Sequence, residues 1–252
     1  MRQVAIVIPM RNERAAVRPL MTKLRSALDS FIGEYRIIVV DGFSTDGTPD
    51  TVRRYSDGLP LELVELSVNE GLGGALNVGL RAALDRADTV VTMDGDDSHD
   101  PSTIPLMLEK LEEGFDAVVA SRFQPGGGEI GVAAHRRLLS HMESGLLRRL
   151  FPMGMVRDYS SGFRAYRPAA LRRIQDAAGR IVTESGFACT MELLLKLRAS
   201  GASVAEVPLV LRYDLKRSES KMAVGSTAIR YLTVIGRNFV NGSDPQETRR
   251  AG

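Results

Sequence analysis

TVVTMDGDDSHDP, residues 89–101, decides how the rest of the chain is read. Its apolar, β-branched opening over Thr89 to Met93 predicts a buried strand. The run stops at Asp94-Gly95-Asp96-Asp97, before Asp100-Pro101 opens a helix. In an open α/β sheet, ligands lie outside the carboxyl ends of the strands, so these carboxylates project toward a ligand. Asp-Gly-Asp in a loop brings two of them to one face, and hard oxygen ligands suit Mg2+ or Mn2+ when phosphate oxygens complete the shell. Two readings stay open on these residues alone. One is a divalent cation held by Asp94 and Asp96; the other is a polar turn with a helix cap, because Asp-Gly and Asp-Pro are ordinary turn signals. Asp100 reads as the cap, and Asp97 has no assigned role.

Upstream, Val4 to Ile8 is an apolar run ended by Pro9, followed by a helical pattern from Arg14 through Leu28. Tyr35 to Val40 repeats that plan, and its turn ends in Thr48-Pro49, an N-cap with proline at the first helical position. Leu61 to Leu66 is a third strand, and Asn69 to Gly74 leads into a helix through Arg86. Strands alternating with helices on short loops predict a mostly parallel sheet with right-handed crossovers. Gly71-Leu72-Gly73-Gly74 lacks the lysine-serine pair of a phosphate loop and the spacing of a dinucleotide fingerprint. It reads as a tight turn with close helix packing.

Downstream, a helix from Pro101 to Glu113 precedes a strand at Asp116 to Ser121, with Arg122 directly after it. Gln124 to Gly128 is a candidate mobile loop. Ala133 to Leu150 is a helix with a basic side. Beyond Asp158 and Ser160 to Arg164, the pattern predicts a helix around Met191 to Ala199, a strand at Val204 to Leu211, a polar stretch at Tyr213 to Met222 and a helix at Ala228 to Val240. Arg122 stands at the same sheet edge as the aspartates and could face a diphosphate bound by their metal. Arg136 and Ser140, at i and i+4 on one helical face, have the spacing to grip a second phosphate. The alternative for each is a solvated surface charge. Lys216 to Lys221 either closes over phosphates or forms a solvated loop. Leu138, Leu139, Leu146, Leu147 and Leu150 form an apolar face that packs on the core, while the basic side of that helix suits an anionic membrane surface.

The 252 residues, 44% hydrophobic and 25% charged, suffice for one large α/β domain. A net charge of +2 gives no overall field of the kind that marks nucleic-acid binders. The single cysteine, Cys189, excludes an intramolecular disulfide and reads as small core filler. His135 and His141 are six apart with His99 distant, which argues against a histidine metal site, and no G-x-S-x-G elbow marks a serine nucleophile. With no long apolar run and no signal-peptide pattern, the expected protein is cytoplasmic and soluble, or peripheral on the cytoplasmic membrane face.

Eight segments in this order resemble the family-two glycosyltransferases of the GT-A fold, most closely the polyprenol-phosphate (dolichol-phosphate) mannose synthases. They are IPMRNE (8–13), VVDGFSTDGT (39–48), NEGLGGALNVGL (69–80), MDGDDSHDP (93–101), ASRFQPGGG (120–128), DYSSGFRAYR (158–167), EVPLVLRYD (206–214) and SKM (220–222). The resemblance implies one GT-A domain over 1–240. Residues 1–101 would be its nucleotide-sugar half, 102–222 its acceptor half and 223–240 a C-terminal helix, with 241–252 a flexible tail. It implies donor contacts at Pro9, Arg11, Glu13, Val40, Asp41, Asp94, Gly95, Asp96, Arg122 and Lys221, with Mg2+ or Mn2+ on Asp94 and Asp96. Acceptor-phosphate contacts would fall at Arg122, Arg136 and Ser140.

Three positions depart from the family pattern. Gly42 replaces the second of two aspartates near the nucleoside, Arg11 stands where tyrosine is common, and Leu215 replaces an arginine that begins the tail motif. The donor base, GDP or UDP, therefore stays open. The implied reaction is inverting transfer of a hexose, mannose or glucose, from a nucleoside diphosphate to a polyprenyl phosphate, with Asp96, Arg122 and Lys221 as the catalytic groups. A phosphate acceptor needs no general base, since its second pKa lies near 6. Two rivals remain: transfer to a hydroxyl with Asp158 as base, and a non-catalytic nucleotide-sugar-binding subunit.

Overall fold

The structure, a computed structural model, describes residues 3–29, 33–56, 58–218 and 230–237. Lys221, the SKM segment, the end of the final helical pattern and the tail 241–252 lie outside the described residues. Strands β1 (Gln3–Met10), β2 (Glu34–Asp41), β3 (Leu61–Glu65) and β4 (Thr89–Thr92) alternate with helices α1 (Arg14–Leu28), α2 (Thr48–Arg53) and α3 (Gly71–Leu84). After β4 come a 3-10 turn, Pro101–Thr103, then α4 (Ile104–Glu112), β5 (Ala117–Ser121), β6 (Gly128–Ile130) and α5 (Ala134–Leu150). The chain continues through β7 (Arg164–Tyr166), α6 (Pro168–Ala178), α7 (Ala188–Ala199), β8 (Val204–Pro208) and β9 (Val210–Arg212). Residues 230–237 are helical.

Seven strands form one sheet in the order β3-β2-β1-β4-β7-β5-β8, in which only β7 runs antiparallel to its neighbours. The expected mostly parallel sheet is present, and β6 with β9 adds a separate two-stranded parallel ribbon. β1 shows how sequence sets the layers. Its side chains alternate, so Val4, Ile6 and Ile8 pack with Val17, Leu20 and Leu24 of α1 and Met107 and Leu108 of α4. Ala5 and Val7 face the opposite layer, with Leu80 of α3, Leu171 of α6 and Leu194 of α7. Cys189 sits in that second layer as filler, and burial, then Glu192, push its thiol up to about 12.

Several elements depart from the sequence pattern for local reasons. Val204 to Leu211 is not one strand: Pro208 has no N–H to extend the ladder, and past Leu209 the chain crosses to the ribbon with β6. Thr48 opens α2 as expected, but the residue before the helix is Gly47 at φ +84°, while Thr48 Oγ1 accepts from the Glu13 N–H at 2.9 Å. On α5 only Ser144 and Leu147 are buried; Leu138, Leu139, Met142 and Leu146 are exposed, so most of the leucine face does not pack on the core.

The glycines expected in a turn ahead of the helix instead form the first turn of α3, and the close packing their sequence indicates is present there. A Cβ on Gly73 would lie 1.7 Å from the Glu184 carbonyl oxygen, a main-chain atom that cannot swing aside. Gly73→Ala is expected to destabilise the protein by about 1 to 3 kcal/mol, as overpacking of a close contact does. Urea unfolding would show this as a lower midpoint at unchanged slope.

Candidate active site

The carboxyl ends of β1, β2, β4 and β5 lie at one sheet edge, because β7 reverses direction between β4 and β5. There a cleft of about 690 Å3 opens. Pro9, Arg11, Glu13, Asp94, Gly95, Asp96, Arg122, Arg136 and Ser140 line it, nine of the positions expected from the sequence. Val40 does not: its side chain is fully buried in the core against Gly79, which leaves only main chain toward the ligand edge. Asp41 is also withdrawn, with Oδ2 accepting the Ser44 N–H at 2.9 Å, while Gly42 lines the cleft. Lys221 lies outside the described residues.

The turn after β4 is built to present two carboxylates. Gly95 is needed because a Cβ there would fall 2.4 Å from Met10 Cγ and 3.0 Å from the Pro9 carbonyl oxygen. Asp97, at φ +69°, turns back to pair with Lys23 of α1 at 2.8 Å, which gives this residue a structural role. Asp100 caps the next turn by accepting the Ser102 N–H at 3.0 Å. His99, which sequence patterning set aside, lies beneath the pair. Its Nδ1 accepts the Asp94 N–H at 3.1 Å, so Nε2 carries the proton and faces Asp94 Oδ2 at 3.8 Å. The ring stacks on Phe163 with centroids 5.1 Å apart.

The two acids differ in environment. Lys216, in the segment after β9, places its ammonium on Asp96 Oδ2, and Ser98 Oγ donates to Oδ1 at 2.5 Å. Burial alone would raise the Asp96 carboxyl, but Lys216 and Ser98 outweigh it and hold it below its usual range. Asp94 keeps 42% of its side chain accessible and lines the cleft. Partial burial, together with the neighbouring Asp96 charge and against the opposing His99, raises the Asp94 carboxyl. A cation is the natural partner for such a pair, and Lys216 stands in for one on Asp96. Among the described residues there is no cluster of three or more potential ligands. Asp94 and Asp96 would hold Mg2+ or Mn2+ as hard oxygen ligands, with phosphate oxygens and water to complete the shell.

At the other wall, Arg122 is held by protein acids. Nε and Nη2 bind Asp158 at 2.8 and 2.9 Å, Nη2 also reaches Ser160 Oγ at 2.8 Å, and Nη1 binds Glu129 at 2.9 Å. These four bonds use four of its five N–H donors, so Arg122 is a fixed cation rather than one free to wrap a diphosphate. Burial opposes its charge, but Asp158 and Glu129 more than offset this. Asp158 is fully buried, and the same guanidinium holds its carboxyl below the usual range despite burial. It also accepts N–H bonds from Arg122, Ser160 and Ser161. Asp158 is thus unsuited to be the base of a hydroxyl-acceptor mechanism, because its lone pairs are occupied and its basicity is lowered. Glu206, on β8, fixes the segment by accepting the Arg157 and Asp158 N–H groups at 2.6 and 2.7 Å.

Arg136 and Ser140 share the cleft face of α5, as their spacing indicates, and Arg136 Nη1 donates to Tyr213 Oη at 3.1 Å. Ser218 Oγ donates to Glu13 Oε1 at 2.9 Å, so Lys216 and Ser218 both strap the tail segment across the donor end. Among the described residues, Lys216 reaches Asp96 from this segment. No helix among the described residues is long and apolar enough to cross a membrane.

The profile of Glycosyl transferase family 2 matches residues 5–175. An undecaprenyl-phosphate mannosyltransferase of Micrococcus luteus is 31% identical over 241 residues, 95% of this chain and 92% of that protein. A polyprenol monophosphomannose synthase of Mycolicibacterium smegmatis is 30% identical over 211 residues, 81% of this chain and 75% of that protein. Among solved structures, glucosyl-3-phosphoglycerate synthase of Mycobacterium tuberculosis, crystallised with Mn2+, UDP-glucose and phosphoglyceric acid, superposes with a TM-score of 0.71. That likeness covers 93% of this chain and 78% of the other at 22% identity, and it shows a shared GT-A fold. The chain belongs to glycosyl transferase family 2.

Proposed function

We propose that this protein transfers a hexose, mannose or glucose, from a GDP- or UDP-sugar to a polyprenyl phosphate with inversion at the anomeric carbon. The observation that carries the reading is one cleft with an open carboxylate pair at one end and a helix-borne Arg136-Ser140 pair at the other. Two relatives named for polyprenyl-phosphate mannosyl transfer support it, and Mn2+ and UDP-glucose in the fold neighbour support the cation and the donor class.

Asp94 and Asp96 would hold Mg2+ or Mn2+, which supplies positive charge to the departing diphosphate. Pro9, Arg11, Glu13 and Gly95 shape the donor end, with the main chain at Val40 and Asp41 beneath the nucleoside. Lys216 adds a cation beside the pair, and the reading keeps Lys221 in the same segment as a diphosphate contact. Arg122, locked by Asp158 and Glu129, fixes positive charge at the centre of the cleft. Arg136 and Ser140 orient the acceptor phosphate for in-line attack, an entropic as well as electrostatic contribution. The seven-stranded sheet draws on both halves of the chain, which supports reading 1–240 as one catalytic domain. Exposed Leu138, Leu139, Met142 and Leu146, beside Arg137, Arg148 and Arg149, support peripheral contact of α5 with an anionic membrane that delivers the lipid acceptor.

Thermal-shift measurement with GDP and UDP, each with Mn2+, selects the donor base, since a ligand that binds only the native state raises its melting temperature. The matching nucleoside-diphosphate hexose with undecaprenyl phosphate is then expected to give a sugar-labelled product retained in organic solvent. Product formed only with hydroxyl acceptors would overturn the lipid-phosphate reading, and donor binding without turnover on any acceptor would favour the binding subunit.

A further inference from the structure

The segment after β9 sets its polar side chains on atoms that the proposed reaction assigns to substrates. Its base is firm. β9 pairs with β6, and the Arg212 N–H donates to the Ser98 carbonyl oxygen at 2.9 Å, which ties the ribbon to the turn that carries Asp96. Beyond that base, three side-chain contacts hold residues 213–218 to the cleft. Tyr213 Oη accepts from Arg136 Nη1 at 3.1 Å, the Lys216 ammonium sits on Asp96 Oδ2, and Ser218 Oγ donates to Glu13 Oε1 at 2.9 Å. Arg136 belongs to the acceptor end, Asp96 to the carboxylate pair and Glu13 to the donor end.

The central contact carries the argument. Lys216 and Asp96 are both largely buried, and the ammonium lies 5.6 Å from the centre of the Tyr213 ring. Burial opposes the charge on Lys216, but Asp96 and then Glu13 more than offset this. Lys216 is thus a tethered cation on a carboxylate that would hold Mg2+ or Mn2+, kept at the high local concentration that a short tether gives. A divalent ion arriving alone has to break this contact and leave the ammonium buried without its counter-charge. It also adds positive charge beside Lys216 and the fixed Arg122, whose charges both act on Asp94. A diphosphate reverses the balance. Its oxygens complete the shell of the ion, and they give the displaced ammonium a new anion.

We propose that Lys216 makes the carboxylate pair selective for a divalent ion carried by a nucleoside diphosphate, because as a built-in competitor for Asp96 it excludes the free ion and yields to the complex. This rests on the donor-site reading above and deepens it, by naming the form in which the donor and its ion are taken. Ser218 contributes by latching the segment to Glu13, which holds the lysine within reach of Asp96. The competition acts on binding, before any sugar is transferred, so it is measurable without turnover.

The test titrates Mn2+ into the full chain without nucleotide, following the electron paramagnetic resonance signal of the free ion. GDP and UDP are then titrated calorimetrically at saturating Mn2+. Lys216→Met, which keeps the aliphatic stem and removes the ammonium, should tighten Mn2+ binding without nucleotide about tenfold, the factor by which the competitor lowers the share of open sites. Nucleotide binding at saturating Mn2+ should be unchanged or weaker in the same variant. Lys216→Arg, which keeps a cation, should return most of the difference. Ser218→Ala alters no charge and should still tighten Mn2+ binding about twofold to threefold by loosening the latch. That variant decides the matter if Lys216→Met fails to fold. Mn2+ binding by Lys216→Met within about threefold of wild type, or by neither protein, overturns the inference. Nucleotide binding tightened as much as Mn2+ binding makes Lys216 a general repulsive charge and overturns it too. A wild type that binds neither GDP nor UDP with Mn2+ overturns the donor-site reading and this inference together. Mn2+-dependent nucleotide binding by the wild type, with unaltered Mn2+ affinity in the variants, overturns this inference alone.

Discussion

Asp96→Ala is expected to lower hexose transfer about a thousandfold, or about 4 kcal/mol of transition-state stabilisation, the upper range for losing one preorganised electrostatic group. The size follows from what Asp96 touches. Its Oδ2 carries the Lys216 ammonium and its Oδ1 the Ser98 hydroxyl, and its carboxyl is held below its usual range while that of Asp94 is held above. Asp96 is therefore the more acidic member of the pair. Removing it takes away the stronger cation ligand and leaves Lys216, whose side chain is only 13% exposed, without its counter-charge. The second effect confuses a simple activity assay, so the more diagnostic readout is binding. Mn2+-dependent thermal stabilisation by the nucleoside diphosphate should vanish in Asp96→Ala and in the near-isosteric Asp96→Asn, while Lys216→Ala, which removes only the ammonium, should retain it. Transfer within tenfold of wild type, or an undiminished Mn2+-dependent shift, would remove Asp96 from the cation site.

What could be read from the sequence, and what could not, divides by the range of the interaction. The β4 run and the Asp-Gly-Asp turn were legible because strand, stop and cap are neighbours along the chain. The cleft face of Arg136 and Ser140 was legible because helical period alone sets it. Arg122 was legible as a position at the sheet edge but not as a chemical group, since its partner Asp158 is 36 residues away and only the fold brings them together. The same holds for Glu206 beneath Asp158 and for Lys216 reaching back 120 residues to Asp96. His99 was missed because it acts as one ring beneath a turn rather than as part of a ligand cluster, although it lies only five residues from Asp94. β7 is three residues long, too short for any period to show, yet it is the strand on which the common direction of β4 and β5 depends. α6 had a readable amphipathic face, with Ala170, Leu171 and Ile174 buried, and passed unnoticed among the short elements around it.

Asp158→Ala is expected to destabilise the protein by about 3 to 5 kcal/mol, the usual range for breaking a buried ion pair from one side. Asp158 is fully buried and receives the two-pronged Arg122 guanidinium together with the Arg122, Ser160 and Ser161 N–H groups. Alanine leaves those donors inside a low-dielectric wall, and Glu129 alone cannot satisfy them. For a chain of this size the melting temperature should fall by roughly 6 to 20 °C. The sign of the pH dependence separates the ion pair from mere packing. Because the folded-state pKa of Asp158 is depressed, its stabilisation is complete above about pH 4, the unfolded value, and is lost as pH falls through the folded value. The gap between wild type and Asp158→Asn, which keeps the shape without the charge, should thus be constant from pH 5 to 8 and shrink in more acid solution. A gap that stays constant into acid would mean that the carboxylate charge contributes nothing, and a loss under about 1 kcal/mol would mean that the wall relaxes around Arg122. Arg122 is the fixed charge of the cleft only because Asp158 and Glu129 aim it, so the transfer rate of Asp158→Asn, measured well below its melting temperature, should fall with the stability even though Asp158 touches neither substrate.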